Sequence, residues 1–280
     1  MWALAAVVTM MCFGINNFIF KLTAGKNVSK VHMQFFFYVV AFLLMLTYGL
    51  MTSIGTVQLV PVLIGAMIGI LNANGNIQMA KAFEKGPASL TSPLISTNAI
   101  VPILSAAIIF HEEITLLQWG GILLMMFSAV VIQYTPAAAK GAAVQYKSWL
   151  FHVALSFSSF GVLGILMKTS THHHYDTIVV LMSMYAGGAI YLFIMSLLQK
   201  EEWHALEAKW GAVIGTISVV GYSSYFFALS TGIASIVFPI VSLSCLVVVV
   251  ASCYVYKERL KFYQLAGIMA AIVGIVLTKI

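Results

Sequence analysis

Charged residues make up only 8% of this 280-residue chain, so every strongly polar side chain stands out against an apolar ground. Asn16 and Asn17 interrupt the stretch CFGINNFIFK, and Asn72, Asn74, Asn76 and Gln78 interrupt a second stretch at alternate positions. A carboxamide offers both donors and acceptors, and a polar group at bilayer depth is costly unless it is satisfied or used. The chemistry on offer is therefore neutral hydrogen bonding to a solute. Asn72 and Asn76 are four residues apart and share a helix face. Ser92, Ser96 and Asn98 follow in the next apolar segment, and Ser218, Tyr222 and Ser242 occupy comparable places late in the chain. Asn16, Asn17, Asn72, Asn76, Ser92, Ser96, Asn98, Ser218, Tyr222 and Ser242 are the candidate substrate-binding set. The competing reading is hydrogen bonding between helices, a common use of Ser and Asn in membrane bundles. It suits a single serine better than an asparagine, which needs several partners.

Other chemistries find little support. No GxSxG, HExxH or phosphate-binding glycine loop is present, and these are the motifs that would point to hydrolysis or nucleotide-driven pumping. His172-His173-His174 with Asp176 is the one metal-like cluster. Three consecutive imidazoles do not converge easily on one ion, and a solvated loop is expected there. Every Asp and Glu is placed at a helix end or in a loop. No metal site, no cofactor and no enzymatic constellation is expected.

The elements that must position these residues follow from charge-free runs. Hydrophobic residues make up 61% of the chain, and an ordinary soluble domain carries about 25% charged residues. No Asp, Glu, Lys or Arg occurs over 1–20, 31–80, 86–111, 114–139, 148–167, 177–199 or 211–256. A bilayer crossing needs roughly 20 apolar residues, so the longest runs hold two crossings each. Division at the polar breaks predicts helices over 2–22, 31–51, 57–82, 86–110, 115–134, 148–168, 177–199, 209–229, 232–255 and 262–279. The fold class is an all-α integral membrane protein, because only helices or closed barrels satisfy the backbone in lipid. Cys12, Cys245 and Cys253 lie in apolar segments and read as small core residues. Residues 1–20 lack a basic leading region and do not read as a signal peptide.

The chain repeats itself. At a shift of 146, Gly65, Gly69, Gly75, Ala88, Pro93, Ser96, Glu112, Gln118 and Gly121 meet identical residues at 211, 215, 221, 234, 239, 242, 258, 264 and 267. At a shift of 147, Trp2, Phe13, Gly14 and Lys21 meet Trp149, Phe160, Gly161 and Lys168, while Asn16 and Asn17 meet Leu163 and Gly164. The units are 1–134 and 148–280, joined by a linker over 135–147. Five crossings per unit is an odd number, so the second unit is inverted. In secondary transporters such repeats place the substrate near the midplane and permit alternating access.

Inversion gives the charged residues a possible role. Lys21 and Glu258 fall on one face of the membrane (side A), Lys168 and Glu112 on the other (side B). Each face could hold one Lys–Glu gate that breaks as the other forms. The alternative is electrostatics at helix ends with snorkelling lysines. Pro93 and Pro239 sit mid-helix, where each removes a backbone hydrogen bond, as a hinge or a fixed kink. Gly65/Gly69 and Gly211/Gly215 have the spacing that permits close helix approach.

The net charge of +6 reflects membrane topology rather than nucleic acid. Twelve of the fourteen basic residues fall on side A; only Lys168 and Lys279 fall on side B. The positive-inside rule makes side A cytoplasmic and puts both termini outside.

The pairs GPASLTSP…HEEITLLQWGG and GIASIVFP…KERLKFYQLAG, set in two five-helix units, resemble the drug/metabolite transporter superfamily, EamA type. The resemblance spans the chain and implies a ten-helix basket with a cavity walled by helices 1, 3, 4, 6, 8 and 9. It implies a secondary transporter of a metabolite, amino acid or drug-like solute, an exporter or exchanger. It also implies cytoplasmic termini, against the charge bias. The chain departs from the small multidrug-resistance relatives in having no membrane-embedded Glu, which argues against that form of proton antiport. A bacterial or archaeal plasma membrane, lipid and solute as partners, and function as a monomer are expected. The alternative is a membrane scaffold or intramembrane enzyme.

Overall fold

The computed structural model describes residues 1–23, 28–52, 57–134, 145–199, 202–257 and 261–278, apart from the side chains of residues 88, 89, 199 and 256. Among them every regular element is helical. In chain order these are α1 (Trp2–Thr23), α2 (Lys30–Thr52), α3 (Leu59–Lys85), α4 (Ala88–Ser96), a 3₁₀ turn (Thr97–Ala99), α5 (Ile100–Ile108) and α6 (Leu116–Gln133). The second half supplies α7 (Tyr146–His172), α8 (Thr177–Gln199), α9 (Ala205–Thr231), α10 (Ala234–Ser242), α11 (Ser244–Tyr256) and α12 (Phe262–Leu277). Nine segments of the described residues are long and apolar enough to cross a bilayer, and α12, with 16 residues, is the short tenth. The protein is an all-α, multi-pass membrane protein.

The fourth and ninth predicted crossings are each broken in two. Pro93 lies in α4, which gives way to the 3₁₀ turn; Pro239 lies in α10, which ends one residue before Leu243. The break falls three to four residues beyond each proline. The Ser96 hydroxyl donates to the Pro93 carbonyl at 2.8 Å, and Ser242 donates to Pro239 at 2.7 Å. A serine one turn after each proline thus bonds a carbonyl at the start of the interruption.

Two boundaries move for a different reason. α7 runs four residues beyond Lys168, because Ser170 and Thr171 are buried in protein rather than solvated. α9 begins at Ala205, not 209, because Glu207 is fully buried and bonded. Polar residues near a helix end read as water-facing in sequence; here protein takes the place of water. Most of the expected linker (135–144), as well as Glu258 and Lys279, lies outside the described residues.

The chain forms two compact units that cut across the repeats. Unit 1 is Met1–Ala73 with Leu166–Thr231; unit 2 is Asn74–Ile165 with Gly232–Ile280. Each therefore combines helices from both halves of the sequence.

Inside unit 1 the repeat is visible as an exchange of glycine contacts. A Cβ at Gly65 would strike the Val180 carbonyl, and one at Gly69 the Met184 carbonyl. At the matching positions, Gly211 would meet the Met33 carbonyl at 2.7 Å and Gly215 the Phe37 carbonyl at 2.7 Å. Helix α3 thus lies on α8 as α9 lies on α2, backbone against backbone, a packing that only small residues allow in membranes.

Unit 2 shows what Glu112 and the recurring Gln and Gly of Glu…Gln-x-x-Gly do. His111 and Lys257, equivalent in the two repeats, both adopt left-handed backbone, with φ of 51° and 53°. After His111, Glu112 accepts from the Ala234 and Ser235 amides at 3.0 and 2.9 Å and from the Ser235 hydroxyl at 2.7 Å. It caps α10, meeting the partial positive charge of that N-terminus. Gln118 closes a capping box with Thr115 at the start of α6, and the Gln264 side chain accepts from the Lys261 amide before α12. Gly121 faces the Gly274 carbonyl, where a Cβ would lie 2.7 Å away, so α6 and α12 pack closely.

Candidate functional site

Unit 1 holds the densest group of predicted residues. Asn16, on the buried side of α1, donates its amide to the Ser218 hydroxyl of α9 at 2.8 Å. Two turns earlier on α1, Thr9 donates to the Gly221 carbonyl at 3.2 Å. Asn72 of α3 donates to the Tyr38 hydroxyl of α2 at 2.7 Å, and its side chain is also a hydrogen-bonding neighbour of Tyr222. Ring contacts join these pairs into one cluster. Phe13 packs on Tyr222 at 4.7 Å between centroids and on Tyr225 at 5.8 Å. Tyr185 of α8 lies edge-on to both Tyr222 (6.2 Å) and Tyr38 (6.0 Å). Four of the ten candidates, Asn16, Asn72, Ser218 and Tyr222, are therefore brought together from three helices, and Tyr38 and Tyr185, members that sequence reasoning passed over, add two more.

All of these groups are buried, and two of their polar atoms have no protein partner: Asn16 Oδ1 and the Tyr185 hydroxyl. A buried polar atom left open costs about 1–3 kcal/mol, so such positions suit a ligand or water. Asn17, next to Asn16, is exposed on the flank of α1.

The remaining candidates lie in unit 2 and are tied more locally. Ser92 donates to Gln133 Oε1 of α6, and Asn98 donates to the Ile95 carbonyl at 2.6 Å. Ser96 and Ser242 serve the proline breaks. Asn76 is partly buried in α3. A second polar chain runs through this unit: His152 Nδ1 meets Gln78 Oε1 at 2.7 Å, Gln78 donates to Asn74 at 3.1 Å, and Asn74 donates to Ser159 at 3.0 Å. His152 carried no sequence signal beyond being a lone imidazole in an apolar run.

Unit 2 also explains the missing half of the asparagine pair. Gly164 is the counterpart of Asn17, and a Cβ there would lie 2.7 Å from the ring of Pro102. Pro102 has no counterpart in the second half, where Val248 stands. The asymmetry at this position therefore has a packing cause in one unit and leaves a polar residue in the other.

The four gate candidates are placed unevenly. Lys21 is exposed in the last turn of α1, whereas Lys168 is 9% exposed and lies a full turn inside α7. Lys168 belongs to unit 1 and Glu112 to unit 2. Glu112 accepts from the N-terminus of α10. Glu258 lies outside the described residues.

One ionisable pair was missed. Glu207 and His32 are both fully buried, with His32 Nδ1 3.1 Å from Glu207 Oε2 and His32 Nε2 2.8 Å from the Ser196 hydroxyl. Glu207 also accepts from the Ser29 amide at 2.7 Å and the His204 amide at 3.1 Å. Trp203 stacks on the His32 ring at 3.9 Å and 8°. The connectivity is that of a serine–histidine–acid triad, but a nucleophile must meet its substrate and Ser196 is buried. The group ties α2, α8 and α9 together at one end of unit 1. The exposed His172, His173 and His174 form a helix-end turn, with Asp176 accepting from the Ile178 amide at the start of α8.

The elements thus define a class: a multi-pass helical membrane protein with a repeated five-helix unit and a buried, uncharged polar cluster. A model of the EamA-like transporter family matches residues 1–134 and 147–280, and the chain belongs to that family. A protein of Haemophilus influenzae described as uncharacterized is 23% identical over 211 residues, which cover 74% of this chain and 72% of that one. A solved crystal structure, described only as that of a protein, matches with a TM-score of 0.81 at 12% identity, over 99% of this chain and 98% of that chain. That likeness is one of fold. The family is one of transporters of small solutes.

Proposed function

We propose that the protein is a secondary transporter that moves a small metabolite, amino acid or drug-like solute by alternating access, as an exporter or exchanger. The observation that carries this reading is the cluster of Asn16, Asn72, Tyr222 and Ser218 in unit 1. Neutral polar side chains buried among apolar spans are expensive, and here Asn16 Oδ1 and the neighbouring Tyr185 hydroxyl remain open for a ligand. Family membership supports the same reading. The broken crossings at Pro93 and Pro239 supply backbone that can bend, and Lys21–Glu258 and Lys168–Glu112 remain the candidate gates. The protein acts in a bacterial or archaeal plasma membrane, as a monomer, with the 1–134 and 148–280 halves as its functional repeats. Flux of labelled solutes into proteoliposomes tests this: saturable, stereoselective exchange supports it. Absence of saturable flux across a broad metabolite panel would favour a scaffold.

A further inference from the structure

We infer that the unit 1 cluster recognises an organic ammonium group, the positively charged end of the transported solute; this rests on the transporter reading above. The asparagine amide of Asn16 is given to Ser218, which leaves Oδ1, an acceptor, open and buried at 6% exposure. Phe13 is one turn from Asn16 and Tyr222 one turn from Ser218, and the Phe13 ring packs on those of Tyr222 and Tyr225. The second open atom, the Tyr185 hydroxyl, belongs to a ring in contact with Tyr222. None of these side chains is charged. A carboxylate or phosphate placed there would set its negative charge against the Oδ1 lone pairs, which a buried anion cannot use. An ammonium group instead donates to Oδ1 and to the tyrosine oxygen, and is drawn to the aromatic faces. The sequence adds a second point: the position matching Asn16 in the other repeat is Leu163, so the acceptor is supplied once, by one repeat only.

Three probes of one shape separate the possibilities: benzylammonium, benzyl alcohol and benzoate, each titrated against the purified full-length protein at constant ionic strength, with thermal unfolding as the readout. Benzylammonium is expected to raise the Tm saturably, the alcohol less, and benzoate not at all. Asn16→Leu should weaken the ammonium response at least tenfold, and Asn16→Asp should strengthen it at least tenfold. Should either Asn16 variant fail to fold, Tyr185→Phe decides, with a threefold or greater loss expected. Equal or stronger binding of benzoate overturns the inference. So does no saturable benzylammonium response, weaker binding by Asn16→Asp, or an unchanged response in Tyr185→Phe. Saturable counterflow of an anionic or neutral solute that ignores benzylammonium would overturn this inference and leave the transporter reading standing. Benzylammonium binding without flux of any solute would do the reverse.

Discussion

Asn16 of α1 hydrogen-bonds Ser218 of α9 at 2.8 Å although the two are 202 residues apart in the chain. The contact joins the first helix of one repeat to the third helix of the other. It also orients a carboxamide whose oxygen stays open. Replacing Asn16 with Leu, the residue of the matching position, removes that acceptor and leaves Ser218 to find another partner. The expected cost is about 1 kcal/mol of stability, the net worth of one hydrogen bond, with a much larger effect on solute affinity. Thermal unfolding and counterflow on the same variant separate the two.

Close helix approach predicts a sharp contrast between two glycines. At Gly69 a Cβ would collide with the Met184 carbonyl, whereas at Gly120 nothing lies within 4 Å. Gly69→Ala should force α3 away from α8 and lower the yield of monodisperse protein. Gly120→Ala should be neutral, or stabilising by up to about 1 kcal/mol from helix propensity. Size-exclusion profiles and unfolding temperatures measured in parallel check the pair.

Glu207 predicts the largest single loss. Its carboxylate serves His32, the Ser29 amide and the His204 amide inside protein. Leaving a buried donor without its acceptor costs about 1–3 kcal/mol for each group. Glu207→Ala should therefore unfold well below the wild type, and Glu207→Gln should recover part of the loss by keeping one acceptor oxygen. Equal unfolding temperatures for Glu207→Ala and the wild type would show that the bonds carry no stability.

Glu112 makes a smaller prediction with a direction. As the cap of α10 it supplies charge as well as acceptors, so Glu112→Gln should cost about 1 kcal/mol and Glu112→Ala more. If Glu112 also gates with Lys168, the double variant Glu112→Lys with Lys168→Glu should regain flux lost in each single variant. A purely capping role leaves the double variant as inactive as the worse single one. Flux assays on the three variants make the comparison.

Much of this was legible in the sequence because membranes simplify the problem. Charge-free runs marked the crossings to within a few residues. Rare residues in register marked the repeat, and the glycine pairs marked the close contacts. What escaped were features that depend on which protein surface replaces water. Glu207 looked like a helix-end acid in a loop, yet Ser29 and His32, some 175 residues away in the chain, enclose it together with the local His204 amide. Tyr38 and Tyr185 drew no attention, because an aromatic ring gives no sign in sequence of where its hydroxyl points. Ser96 and Ser242 were legible as polar but not as ties to the proline carbonyls. Asn17 and Gly164 differ for a reason that only the position of Pro102 reveals.

The central claim is that the uncharged cluster of unit 1 binds the transported solute. Its most direct test is entrance counterflow in proteoliposomes, comparing the wild type with Asn72→Leu, which removes the bond to Tyr38, and Ser242→Ala, which touches only a proline break. The account predicts saturable counterflow in the wild type, at least a tenfold rise in KM for Asn72→Leu, and a KM for Ser242→Ala within twofold of the wild type. Unchanged KM in Asn72→Leu, with the loss falling instead on Ser242→Ala, would contradict it.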